Sequence, residues 1–281
     1  MADRFWIDGL PGAEIPADDR GLALADGVFE TLRIENGAVS LAWLHRERMI
    51  SGLVCLGFSD ATHLVEQAFA GAAKWITNLP DASRDGVLRL TITRGSGPRG
   101  YAPVATAPRI IARFSEGLPQ TLTPAVMEVA TITWPDQPAL AGHKLLARTE
   151  QVLAGAEVQH RGVNDVVMTD IRGHWLSSHI GNLFLRSQST LLTPPLDRAG
   201  IAGTRRRAVI EHWAAVHGFD VDICTIDQAR IKAADEMFIT NSIIGIRSVE
   251  RVGDVCFNSS AAADALRDDI HRDYPSRRVL P

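Results

Sequence analysis

The sequence predicts an α+β chain built as two domains. Three observations carry this. Strand-like runs are mixed with amphipathic helices without strict β-α-β alternation, which favours α+β layers over a doubly wound sheet. A Gly- and Pro-containing break, Ser115-Glu116-Gly117-Leu118-Pro119-Gln120, interrupts both periodic patterns two-fifths of the way along. The 281 residues, 46% of them hydrophobic, are enough for two separate cores. The expected boundaries are a small N-terminal domain over 1–114, a linker over 115–122 and a larger C-terminal domain over 123–281.

The elements follow in order. Val28 to Ile34 and Ala38 to Leu41 read as a hairpin around Glu35-Asn36-Gly37, because Asn-Gly accepts the positive φ of a tight turn. Helices are expected from about Leu44 to Leu56, before Gly57, and from about Ala61 to Ile76. Val87 to Thr93 and Arg109 to Phe114 read as strands, as does Val126 to Thr133 beyond the break. From Lys144 onward Leu145, Thr149, Val152 and Ala156 recur at helical spacing. Val166 to Thr169 and Trp175 to Leu185 read as strands around the turn Asp170-Ile171-Arg172-Gly173. A helix from about Thr204 to Val216 ends at Gly218, and strands near Val221 to Thr225 and Glu236 to Thr240 bracket a short helix.

Composition excludes several classes of function. A net charge of −4 provides no basic field for nucleic acid or an acidic membrane, and Arg205-Arg206-Arg207 is too short for a polybasic anchor. Three scattered cysteines, Cys55, Cys224 and Cys256, do not make a disulfide framework, and no apolar stretch approaches a bilayer span. With no secretory pattern at the start, a cytoplasmic protein is expected. The nine histidines show no paired ligand spacing, so no metal is expected. No G-x-S-x-G elbow is present.

Gly95-Ser96-Gly97-Pro98-Arg99-Gly100 satisfies G-x-G-x-x-G after a strand, but a dinucleotide site needs a helix to open there. Tyr101-Ala102-Pro103 and Pro108 follow instead, so the segment reads as a mobile or substrate-facing loop bearing Arg99 and Tyr101. Three other segments suit an anion such as phosphate. Gly200-Ile201-Ala202-Gly203-Thr204-Arg205 precedes a helix, whose first backbone amides and dipole favour negative charge. Thr240-Asn241-Ser242 ends a strand with small polar groups, and His45-Arg46-Glu47-Arg48 places Arg48 one helical turn past His45. Lys144 sits at the junction of Leu140-Ala141-Gly142 and the following amphipathic run; in a partly desolvated pocket such a lysine becomes an amine nucleophile.

Taken together these pieces resemble the fold-type IV (class IV) enzymes that use pyridoxal 5'-phosphate (PLP). The resemblance runs through Asp19-Arg20-Gly21, Asp26-Gly27-Val28-Phe29-Glu30-Thr31, His45-x-x-Arg48, His143-Lys144 to Leu153, Asn182-Leu183-Phe184, Gly200 to Arg206 and Ala234 to Asn241. Within the family, Thr93 to Tyr101 and Gly253 to Ser260 are similar to the 4-amino-4-deoxychorismate lyases. The resemblance implies two α+β domains with PLP in the cleft between them, a homodimer whose partner loops help close the site, and a small-molecule substrate. It implies Lys144 as the Schiff-base lysine and later the acid/base. Arg48, the backbone amides of Thr204 and Arg205, and the Asn241-Ser242 pair would hold the phosphate. Arg99, with Tyr101, would meet a substrate carboxylate.

One position departs from the family pattern. The glutamate that contacts the pyridine nitrogen, five residues before the asparagine of Asn-x-Phe, is here Ser177. A carboxylate keeps that nitrogen protonated, whereas a hydroxyl only donates or accepts a hydrogen bond. This substitution is expected to harm an aminotransferase more than a lyase whose product becomes aromatic. His179, expected on the same strand face as Ser177, is a candidate for partial compensation. The lyase is the leading reading; an aminotransferase of branched-chain or D-amino acids and a PLP-binding protein without turnover are the alternatives.

Overall fold

A computed structural model describes residues 3–79, 85–103, 107–120 and 123–271. The chain forms two units, 1–118 with 143–147, and 119–142 with 148–281. The short piece 143–147 is therefore separated from its sequence neighbours and belongs with the first unit.

In the first unit, β1 (Arg4–Ile7), β2 (Leu10–Pro11), β3 (Gly27–Glu35), β4 (Ala38–Val39), β5 (Gly86–Thr93) and β6 (Arg109–Glu116) form one antiparallel sheet in the order β2-β1-β6-β5-β3-β4. The five-residue α1 (Arg20–Leu24) precedes β3, and α2 (Ala42–Cys55) and α3 (Ala61–Thr77) follow the hairpin. Asn36 and Gly37 both have positive φ (50° and 74°), as the sequence requires of that turn. Because alternate residues of a strand point to opposite faces, Val28, Leu32, Leu88, Leu90 and Ile92 join Met49, Leu53, Val65, Ala68 and Phe69 of the two helices in one core. Phe29, Thr31, Arg89 and Thr91 lie on the other face of β3 and β5. β6 runs to Glu116, so the strand occupies the first two positions read as linker.

In the second unit, β7 (Ala125–Val129), α4 (Thr149–Arg161), β8 (Asp165–Thr169), β9 (Trp175–Ser178), β10 (Asn182–Ser187) and β11 (Thr190–Thr193) come first. α5 (Thr204–Ala208) continues through a π-helical turn, Val209–Trp213, into α6 (Ala214–Val216). β12 (Asp220–Ile223), α7 (Gln228–Ala233), β13 (Glu236–Asn241), β14 (Gly245–Val252), β15 (Val255–Cys256) and α8 (Ala261–Arg267) complete it. The sheet order is β12-β11-β10-β13-β14-β7-β8-β9, with β15 on β14, and β9 also touches β10. β7 is parallel to both neighbours, β14 and β8, while β13 runs antiparallel to β10 and β14. Leu183, Leu185, Met237, Ile239, Trp175 and Val249 fill one face; α4 covers the other near β8, where Ala154, Val166, Met168 and Trp134 meet.

Two local expectations are corrected. The helix read from Lys144 begins only at Thr149, because residues 144–146 are extended and paired with β3. The single strand read over 175–185 is two, broken by a turn at 179–181. Arg205-Arg206-Arg207 is no surface patch: Arg205 is 1% exposed, Arg206 is buried, and Arg207 pairs with Glu211. Among the described residues no helix is long and apolar enough to cross a membrane.

Candidate active site

Lys144 is placed by backbone pairing rather than by a helix. Phe29 N donates to Lys144 O (3.2 Å), Leu146 N donates to Gly27 O (3.0 Å), and Val28 faces Leu145 in an antiparallel bridge. The segment thus lies on the edge of β3, beyond the short β4, and Leu145 enters the core as its anchor. Gly27 makes the approach possible, since a Cβ there would meet Ile92 O and Leu146 Cδ1. Lys144 Nζ sits 4.3 Å from the centre of the Phe29 ring, and the Arg89 guanidinium lies 3.8 Å from the same ring. Burial, then the charge of Arg113, pulls the Arg89 pKa down from its ordinary value.

On the helix-facing side of β3, Glu30 is fully buried and binds two partners. Arg48 donates through Nε to Oε1 (2.8 Å) and through Nη2 to Oε2 (2.6 Å), while His45 Nδ1 reaches Oε2 at 2.7 Å. Burial pushes the Glu30 carboxyl up; Arg48 and His45 outweigh it and hold the pKa at about 2. The spacing His45-x-x-Arg48 therefore does align both side chains on one helix face, and their shared partner is Glu30.

Arg99 and Tyr101 lie on an exposed loop after β5, Tyr101 being 88% exposed. No helix opens at Gly95-Ser96-Gly97-Pro98-Arg99-Gly100, as the proline pattern indicates, and Gly95 is required because a Cβ would collide with Ala107 O.

In the second unit, Gly203 caps the helical run that starts at Thr204, and its Cα abuts Asn182 so closely that any side chain would strike Asn182 Oδ1. Asn182 Nδ2 donates to Ile201 O (2.8 Å), which explains the asparagine of Asn-Leu-Phe: it shapes the Gly200–Gly203 loop from β10. The hydroxyls of Thr204 and Ser242 are 3.2 Å apart. Thr240 Oγ1, at the end of β13, is buried with no hydrogen-bonding partner. The Asn241 side chain is engaged in the β13–β14 turn: its Oδ1 accepts from Ile243 N and Ile244 N at 2.8 Å each, and Nδ2 donates to Ile180 O. Asn241 thus holds the turn that carries Ser242. The Arg205 side chain is directed inward toward the Trp213 ring, so a ligand would meet its backbone amide.

Ser177 is buried, and its Oγ accepts a hydrogen bond from Trp134 Nε1 (2.8 Å). His179 lies past the end of β9, where the chain turns; its Nδ1 and backbone N both face Asp165 Oδ1. The shared strand face expected for Ser177 and His179 is therefore lost, and His179 is engaged by a buried carboxylate. Sequence reasoning missed Trp134, Asp165, Glu30 as a partner of Arg48, and Arg89. Only Glu30 carried a signal: an acid inside a strand of otherwise apolar inward positions calls for a buried cation.

Polar groups without charge thus gather around a glycine cradle in the second unit: helix-start amides, the Thr204 and Ser242 hydroxyls and the unpaired Thr240 hydroxyl. This donor set fits a phosphate. Residues 27–252 match the family model described as amino-transferase class IV. The chain is 29% identical to the aminodeoxychorismate lyase of Vibrio harveyi over 88% of this chain and 91% of that one. It is 24% identical to a putative branched-chain-amino-acid aminotransferase of Methanocaldococcus jannaschii, over 91% and 88%. Among solved structures, the 4-amino-4-deoxychorismate lyase of Pseudomonas aeruginosa is similar at 34% identity and a TM-score of 0.83, covering 96% of this chain and 98% of that one. The chain belongs to the amino-transferase class IV family.

Proposed function

We propose that the protein is a PLP-dependent lyase that splits 4-amino-4-deoxychorismate into 4-aminobenzoate and pyruvate. The observation that carries this reading is Lys144, held in extended pairing on β3 with its Nζ against the Phe29 ring. The two lyases named above, with a third from Bacillus subtilis at 24% identity over 89% of this chain, support the reaction class.

Bound PLP supplies an electron-withdrawing ring joined to the substrate amine, which labilises bonds at the neighbouring carbon. Lys144 would hold the cofactor through Nζ and, once released, would take the proton from C4 of the substrate and return one to the departing three-carbon unit. The amides of Thr204 and Arg205 and the hydroxyls of Thr204 and Ser242 would hold the phosphate. Arg48 would add its charge, aimed by Glu30, and Asn241 would act by presenting Ser242. Arg99 with Tyr101 would bind a substrate carboxylate.

Ser177 favours the lyase over the aminotransferase. With Trp134 donating to its oxygen, the Ser177 hydroxyl has its own proton to give, so it would donate to an uncharged ring nitrogen. A reaction driven by forming an aromatic product needs less electron withdrawal than transamination. The homodimer and the cytoplasmic location implied by the resemblance belong to the same reading.

The test begins with the absorption spectrum of the purified protein before and after borohydride, with peptide mapping of the reduced product, followed by assay with aminodeoxychorismate. A pyridoxyl group on Lys144, with 4-aminobenzoate and pyruvate released in equal amounts, is expected. Conversion of the cofactor to its amine form by D- or branched-chain amino acids, without 4-aminobenzoate, would establish the aminotransferase instead. Labelling without any product would leave a PLP-binding protein.

A further inference from the structure

Arg20 is 4% exposed although it opens a helix of only five residues whose next side chain but one, Leu22, faces solvent. All three guanidinium nitrogens donate. Nε binds Asp26 Oδ2 (2.9 Å), Nη1 binds Gly100 O (2.9 Å) and Nη2 binds Tyr101 O (3.0 Å). Asp26 is shared, since Arg94 Nε binds the same oxygen at 2.7 Å and Arg94 Nη2 binds Leu56 O. One carboxylate thus serves two buried guanidiniums, and carbonyl dipoles of the loop complete the shell of Arg20.

The base of that loop is fastened by the same turn. Arg20 N donates to Gly95 O (2.9 Å), Ser96 Oγ to Asp18 Oδ1 (2.8 Å) and Gly97 N to Asp18 O (3.4 Å). Asp19, which caps α1 through Gly21 N, also takes Thr93 Oγ1 (3.0 Å) and pairs with Arg109. A planar fork that binds two consecutive carbonyls fixes the orientation of the peptide joining them. Gly100, at φ +115°, supplies the backbone conformation in which this occurs. Arg99 and Tyr101, the residues on either side of Gly100, are exposed while the backbone between them is held.

We propose that Arg20 is a positioning residue for substrate recognition: its fork on Gly100 O and Tyr101 O holds Arg99 and Tyr101 in the arrangement that receives a substrate carboxylate. This rests on the reading above that these two side chains contact the substrate. Arg20 itself touches none. Removing the fork lets the loop sample other arrangements and weakens substrate capture while leaving the chemistry at Lys144 intact.

The test compares Arg20→Lys and Gly100→Ala in the PLP-loaded enzyme. The lysine keeps the charge and loses the fork. The alanine leaves the buried ion pairs untouched and acts only through the backbone, because a Cβ at Gly100 meets nothing within 4 Å. Both variants are expected to raise KM for aminodeoxychorismate on the order of tenfold, with kcat within about twofold. Hydrogen exchange of the amides over residues 96–103 should accelerate, and the Kd of the apoenzyme for PLP should not move. Unchanged exchange, or faster exchange with wild-type KM, would overturn the proposal. So would a parallel loss of kcat and PLP affinity, which would make Arg20 a support of the whole unit. Arg99→Ala separates the two layers. A wild-type KM there removes the loop from substrate binding altogether; a raised KM beside silent Arg20 and Gly100 variants removes only the role of Arg20.

Discussion

The first unit fixes its polar side chains with charge, and the second builds its candidate ligand cradle without it. Around β3 and α1, Glu30 binds Arg48 and His45, Asp26 binds Arg20 and Arg94, and Asp19 binds Arg109, most of them buried. At the end of β10 and β13 beside the Gly200–Gly203 loop the equivalent work falls to glycines, hydroxyls, an asparagine amide and the start of a helix, while the Arg186–Glu236 pair lies at the opposite end of the same strands. The difference teaches what each region is for. Buried ion pairs are rigid and hold side chains in register, and they commit part of each cation's donor set to a fixed partner. Neutral donors around a glycine gap keep their capacity for an anion.

The comparison can be broken or sharpened by substitution. The largest expected effect is Glu30→Gln, which leaves Arg48 buried beside a neutral amide and should cost the apoprotein about 3 kcal/mol in denaturant unfolding. The same residue sets an acid limit. Its folded pKa of about 2 lies below the ordinary value of 4.5, so its stabilisation is complete above 4.5 and is lost as pH falls toward 2. The Gln variant should lack that slope; an unchanged slope would show that other carboxylates control acid unfolding. Next, Gly203→Ala should weaken PLP binding on the order of a hundredfold while costing about 1–3 kcal/mol in stability, because the new Cβ drives into Asn182. If PLP affinity, measured by titrating the apoenzyme, is untouched, the neutral cradle is not the phosphate site. The smallest effect is expected for Ser177→Glu, with lyase turnover changed by less than about threefold. A large gain would show that the ring nitrogen does require a carboxylate here.

Much of the scaffold was legible locally. The Asn36-Gly37 turn, α2, α3, β5 and the helix stop at Gly218 obey rules that act within a few residues. The G-x-G-x-x-G run was excluded as a dinucleotide site by its own prolines. The reading failed where distant chain intervened. Leu145, Thr149, Val152 and Ala156 have helical spacing, yet Leu145 is inserted into the core beside Val28 and Gly52, and the helix is delayed to Thr149. Backbone pairing with β3 and burial of Leu145 outweigh the weak local preference for helix. The strand expected through 179–181 breaks because His179 is drawn to Asp165, fourteen residues earlier. At the candidate site, Lys144, Thr204 and Ser242 were marked by sequence. Trp134 on Ser177 was not, since nothing in either residue's neighbourhood names a partner 43 positions away.

The sequence by itself determined the family, the lysine, the glycines and the elements whose signals are local, because turn chemistry, capping and periodicity act over a few residues. Tertiary structure decided how those groups are held: Glu30 binds Arg48, Arg20 grips the Gly100 loop, Asn182 shapes the cradle at Gly203, and Trp134 donates to the Ser177 hydroxyl. Each of these depends on a polar group being buried beside a partner far along the chain, where an unmatched donor or charge would cost several kcal/mol. That requirement exists only once the chain has folded around it.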